Sequence, residues 1–218
     1  MTLKEIHEFI LFVLDKEING YSTPKEIDQA LDRASKATFK QMLPYYAENQ
    51  SFQDALAPFK VPHIFTHATS PAGVVVLPVN YVHFLALTVS YYDNIFQENK
   101  YQNVEVVNSD ELAERLSSQL KPVTQLKPVI HWIGKRKFQL YPKGVNVGEC
   151  WYLKSPDAPQ YVFTQVGRVT TYDSVNSVQL EWDELELNNV MFRALQLLGV
   201  NLSNDQMIQY TQLKIQDA

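Results

Sequence analysis

Apolar residues recur at helical spacing from the start of the chain: Leu3, Ile6, Ile10 and Val13 form one stripe, and Phe9, Leu11, Phe12 and Leu14 widen it well beyond one face. Such breadth predicts a helix packed on two sides, stopped by Asn19-Gly20. Thr23, Pro24 and Glu26 then make a capping box with proline at the first helical position, where its fixed φ suits the helix and its missing N–H wastes nothing. The helical period continues through Ile27, Leu31, Ala34, Thr38, Met42 and Tyr45, with a break expected at Pro44. Ser51 and Asp54 mark the start of another short helix, closed by Pro58.

Past Pro58 the pattern turns to β-branched and aromatic residues, punctuated by Pro62, Pro71 and Pro78. Residues 74–77 and 82–92 predict strands, the second alternating so loosely that burial on both faces is expected. Asn108, Ser109, Asp110 and Glu111 cap a helix carrying Leu112, Leu116 and Leu120, ended by Pro122. Residues 129–133 and 136–141 flank Gly134-Lys135, which predicts a two-residue hairpin turn of type II′ with glycine first. Residues 148–154 are expected to extend the same antiparallel sheet. A helix over residues 183–198 should end at Gly199 in a left-handed cap, and Ser203, Asn204, Asp205 and Gln206 start a last one. The fold class is therefore α+β: N-terminal helices, a central mostly antiparallel sheet with an inserted helix, and C-terminal helices. Residues 1–60 read as a helical arm or layer, and residues 61–218 as an α+β body.

Composition narrows the function classes. With 218 residues, 45% of them hydrophobic, the chain can build a core without covalent staples. Cys150 is the single cysteine, so no disulfide forms within the chain. A net charge of -5 argues against holding nucleic acid by its phosphates, and Lys135, Arg136 and Lys137 read as a solvated hairpin turn rather than a basic patch. The apolar run at residues 9–14 is flanked by Lys4, Glu5, Glu8, Asp15, Lys16 and Glu17, unlike a signal peptide, and no run reaches the length of a membrane span.

The candidates for chemistry are few. His63 and His67 stand four apart, a metal-ligand spacing on a helix, but Pro62 and Pro71 flank them and no third ligand is near; no metal site and no cofactor are expected. His7, His83 and His131 sit in apolar or strand-like stretches, where a singly bonded core imidazole is the usual outcome. Cys150 has no base beside it in sequence, so an inert buried thiol is expected. Glu181, Asp183, Glu184 and Glu186 crowd a helix start, where the helix dipole favours negative charge. No catalytic residues are assigned.

Several phrases resemble the head-to-tail connector (adaptor or ring) proteins of tailed bacteriophages, those of crAss-like phages in particular. GVVVLPVNYVH at residues 73–83 is similar to the segment opening the family's β region, with Asn80 where Asp is common. VNSDEL at residues 107–112, the hairpin at residues 134–142 and WYLKSP at residues 151–156 resemble its helix, hairpin and following strand, whereas Ala158-Pro159-Gln160-Tyr161 departs from it. Residues 177–185 and 195–210 carry the last phrases. The resemblance implies a non-enzymatic virion protein, made in the host cytoplasm, that forms a closed ring of identical subunits, about twelve, between the portal protein and other neck or tail proteins. DNA would pass through it without specific binding, and no membrane is involved. A ring copy must present two different complementary surfaces, and Ile6, Phe9, Ile10, Phe12 and Val13 are the candidate subunit contacts, with a core helix of the same chain as the other reading. A stopper or tail-completion protein, or a small hydrolase built from converging His63, His67, His131, Cys150 and the acidic helix start, are the alternatives.

Overall fold

A computed structural model of the chain describes residues 1–18, 22–66, 69–70, 72–93, 97–143, 147–166 and 169–200. The elements run α1 (Leu3–Ile18), α2 (Pro24–Met42), α3 (Gln50–Ala55), β1 (Lys60–Thr66), β2 (Val74–Val76), β3 (Tyr81–Asp93), β4 (Glu98–Asn103), β5 (Glu105–Val107), α4 (Ser109–Ser117), β6 (Val129–Gly134), β7 (Lys137–Tyr141), β8 (Val147–Lys154), β9 (Phe163–Val166), β10 (Val169–Tyr172) and α5 (Glu184–Leu197). Short 3₁₀ turns occupy Leu43–Tyr45 and Ala57–Phe59. The mixed class, with helices first, antiparallel sheets next and a helix last, is as the sequence order predicts. Asn19-Gly20, His67 and the helix expected from Ser203 lie outside the described residues.

Two compact units emerge, Met1–Pro58 with Pro156–Ala218, and Phe59–Ser155. The first crossing falls where the composition shifts. The second separates residues 156–218, with β9 and β10, from strands β1–β8, so the expected body of residues 61–218 is divided, because α5 offers its apolar stripe to the N-terminal helices.

In the first unit α2 packs against α5, and α1 against both. Ile27, Leu31 and Ala34 on α2 and Leu187, Val190, Met191 and Ala194 on α5 are buried, as are Leu3, Ile6, Ile10, Val13 and Leu14 on α1. Leu11 and Phe12 remain exposed, so α1 buries one broad face rather than two sides. The capping box is present: Glu26 N–H donates to Thr23 Oγ1, and Thr23 N–H donates to Glu26 Oε2 at 2.7 Å. Helix α3 is capped by Asn49, whose side chain accepts from Ser51 N–H, two residues before the expected cap. Helix α5 ends as expected: Gly199 has φ +94°, Val200 N–H reaches Leu195 O, and Gly199 N–H reaches Gln196 O, the paired bonds of a Schellman cap.

The second unit holds two four-stranded sheets, in the orders β1-β8-β3-β4 and β2-β7-β6-β5. Phe65, Leu87, Val89, Tyr91 and Cys150 from one and Val75, Ile130, Phe138 and Leu140 from the other form a shared core. Strand β8 thus belongs to the sheet opposite the β6–β7 hairpin, not to an extension of it: it sits between β1 and β3 and sends Gly148, Cys150 and Tyr152 into the core. All pairings are antiparallel except β5 with β6, joined through α4, whose Leu112 packs on Val107 and Val129. Strand β3 is buried chiefly around Leu87–Tyr91, with Val82 and Tyr92 exposed, so it has a solvent face after all.

Two local expectations shift for identifiable reasons. The β6–β7 turn is Lys135-Arg136, flanked by paired Gly134 and Lys137; an irregularity between Trp132 and Gly134 takes up one residue, and Gly134 lacks positive φ, so no type II′ turn forms. Helix α4 ends at Ser117, whose hydroxyl bonds Ala113 O and Glu114 O, while Ser118 Oγ accepts from the N–H groups of Leu120 and Lys121. Those hydroxyls take over backbone groups that a further helical turn would use, leaving Leu120 94% exposed.

Candidate functional surfaces

The antiparallel register of β1 and β8 sets His63 directly across from Cys150. Among the described residues that is the one encounter of the proposed chemical residues, and its chemistry is inert. Cys150 is fully buried, and loss of water pushes its thiol up to about 12, the reverse of the depression a nucleophilic thiolate needs. Burial likewise lowers the pKa of His63, keeping the ring neutral rather than an imidazolium partner. His131 lies on β6 in the other sheet of that unit, half-buried, with its Nδ1 lacking a partner, and His83 is exposed. Among the described residues no three His, Cys, Asp or Glu side chains are grouped to hold a metal ion.

The acidic start of α5 is absorbed by structure. Asp183 is the N-cap residue, Glu186 accepts from Asn189, and Glu181 accepts from the backbone of Asp157. No side chain of this cluster is buried.

The first unit carries a polar arrangement that the sequence does not announce. Asp28 on α2 meets His7 Nε2 with Oδ1 at 2.9 Å and accepts the Tyr161 backbone N–H with Oδ2 at 2.9 Å. His7 is 3% exposed and stacks on the Tyr161 ring at 4.4 Å, and that ring continues to Tyr172 at 4.8 Å. Tyr172 Oη accepts from Gln179 Nε2, and Gln179 Oε1 accepts the Leu3 N–H at 2.7 Å, closing the start of α1. With the imidazole sealed from solvent, the Asp–His pair pins α1, α2 and the segment before β9 together instead of meeting a substrate.

A largely exposed sheet face, closed at Ser90 and Leu153, is the notable surface of the second unit. Alternation places Cys150, Val89 and Phe65 towards the core and Pro62, Ile64, Val147, Trp151 and Tyr101 on the opposite side of β1, β8 and β4. Ile64 is 64% and Tyr101 71% exposed, and Val147 and Tyr92 are also open to solvent. Glu149 and Lys60 lie among them, the Lys60 ammonium 5.2 Å from the centre of the Trp151 ring. Loose alternation in β3 conceals this face in sequence; the register reveals it.

Of the proposed subunit contacts on α1, Ile6, Ile10 and Val13 are buried within their own unit and form its core, Phe9 is half-buried, and Phe12 is 49% exposed. The core-helix reading therefore holds for three of the five. No protein-family model and no curated protein matches this sequence.

Proposed function

We propose that this chain is a structural subunit of a phage virion, a ring-forming connector at the neck between portal and tail. The observation that carries the reading is the largely exposed sheet face of the second unit, where Ile64, Val147, Trp151 and Tyr101 gather on strands of the unit whose phrases resemble the connector family. Exposed apolar and aromatic side chains that share one sheet face mark interaction surfaces on a folded chain. A ring needs a second, different patch on each copy, and the exposed Leu11 and Phe12 on α1 are offered for it in place of the buried residues. The net charge of -5 suits a wall along which DNA moves without adhering.

The test is negative-stain imaging of the purified chain at high concentration, alone and mixed with portal protein. Annular particles in either sample support the reading, and Ile64→Glu with Tyr101→Glu should abolish them while leaving the circular dichroism spectrum unchanged. Monomers in both samples, or annuli indifferent to those substitutions, count against it.

A further inference from the structure

We infer that the groove between the end of α2 and the outer stripe of α5 is a docking site for a peptide segment of a partner protein, one that presents a carboxylate beside an apolar side chain. The groove lies within the first unit and encloses about 370 Å³, room for a few side chains. Thr38, Gln41, Met42 and Tyr45, at i, i+3, i+4 and i+7, form one wall, and Phe192 and Arg193 stand on the other. Gln41 and Tyr45 are exposed, so the groove is open on one side.

Two independent features ask for an acceptor that the described chain does not supply. The Arg193 guanidinium donates to the neutral Gln41 Oε1 at 2.6 Å, and no described carboxylate makes an ion pair with it. Its remaining donors form the planar fork that matches a carboxylate in two parallel bonds. Thr38, 3% exposed on the groove floor, has a hydroxyl with no partner among the described residues, which is unusual for so buried a polar atom. One staggered step about its χ1 re-aims the hydroxyl without moving the backbone.

The charge balance selects the occupant. A cation without a counter-ion among the described residues, on a chain of net charge -5, is complementary to an anion, and Met42, Tyr45 and Phe192 beside it give an apolar neighbour its place. A segment with both groups side by side, laid into a groove between helices, fits that pattern. The inference does not rest on the connector reading.

The full-length chain, labelled with ¹³C at the methionine and threonine methyl groups, would be titrated with N-acetyl-Leu-Glu-Leu-amide and with its Gln counterpart while the Met42 and Thr38 signals are followed. The Glu peptide should shift both saturably and bind about tenfold tighter than the Gln peptide, as a charge-assisted bond predicts. Arg193→Gln should erase that difference and Arg193→Lys should retain part of it. Thr38→Val should weaken the Glu peptide several-fold without lowering the unfolding midpoint, since it removes a hydroxyl that has no partner among the described residues. Equal binding of the two peptides, no shift at tens of millimolar, or discrimination that survives Arg193→Gln would overturn the inference. So would a response that appears only after residues 201–218 are deleted, which gives the groove to the chain's own end, or a Met42 shift with protein concentration alone, which gives it to a second copy.

Discussion

The indole N–H of Trp182 donates to the hydroxyl of Ser35 at 2.7 Å, with both residues buried and 147 positions apart in sequence. Trp182 precedes α5 and Ser35 sits mid-way along α2, so the bond ties the start of α5 to the middle of α2. Ser35→Ala removes the hydroxyl that accepts this buried bond and should cost about 1–3 kcal/mol in urea unfolding. Trp182→Phe removes the donor and some packing together. The double substitution should cost less than the sum of the single ones by at least about 0.5 kcal/mol, and strict additivity would show that the bond contributes nothing.

Asp28 serves two partners, the His7 ring and the Tyr161 backbone N–H. Asp28→Ala should destabilise by about 2–3 kcal/mol, because both groups then lose their shared acceptor inside the unit. Asp28→Asn separates charge from geometry: its amide oxygen can still take the Tyr161 N–H, and its NH₂ can donate to a neutral His7 Nε2. Asn should therefore cost clearly less than Ala in the same unfolding assay. Equal losses would mean that the negative charge itself holds the arrangement.

These two contacts mark the limit of what the sequence discloses. Local signals were legible: Thr23, Pro24 and Glu26 make the expected capping box, and Gly199 takes the left-handed cap, because such devices depend on neighbours a few residues away. The hairpin strands were legible, but the turn slipped by one residue, since the irregularity at Ile133 carries no compositional mark. Sheet membership was not legible, because the alternation of residues 148–154 names a buried side without naming the strands beside it. The same ignorance of partners made Ile6, Ile10 and Val13 resemble contact residues when α2 and α5 cover that side of α1. Arg193 offered a faint signal as the single cation of residues 183–200, but that its described partner is the neutral Gln41 appears only in the fold.

Burial of Cys150 makes alkaline stability a readout of the second unit's core. An unfolded thiol ionises near its ordinary value of about 8.5, whereas the folded one is raised to about 12. Its folded pKa is the higher, so its contribution is intact below about pH 8.5 and is lost as pH climbs towards about 12, at up to about 1.4 kcal/mol per pH unit, because over that range the folded state retains a proton the unfolded state has released. Tyr81 and Tyr91, also raised to about 12 by burial, add losses of the same sign from about pH 10. Urea midpoints should fall from about pH 9 upward, and Cys150→Ala, less stable at neutral pH, should lack the early part of that fall. A thiol reagent at pH 8 should label Cys150 only in denaturant; rapid labelling of the native protein would contradict the burial.

Gly148 tests the packing of the same core from the opposite direction. It stands across from Phe65 in the β1–β8 register, and a Cβ built on it would run into the far edge of the Phe65 ring, well inside van der Waals contact. Phe65 is itself 4% exposed and meets Phe138 edge-on at 6.1 Å, so its ring has little room to retreat. The glycine is therefore required by space, its backbone lying in a strand rather than in a left-handed conformation. Gly148→Ala should cost about 1–3 kcal/mol by overpacking. Phe65→Leu alone should also destabilise, by removing part of the ring's packing. Combined, the two should recover part of the loss, because the shorter side chain makes space for the new methyl group, and thermal unfolding of the three variants would read this out. Independent, additive penalties would show that the alanine is resisted by something other than the ring.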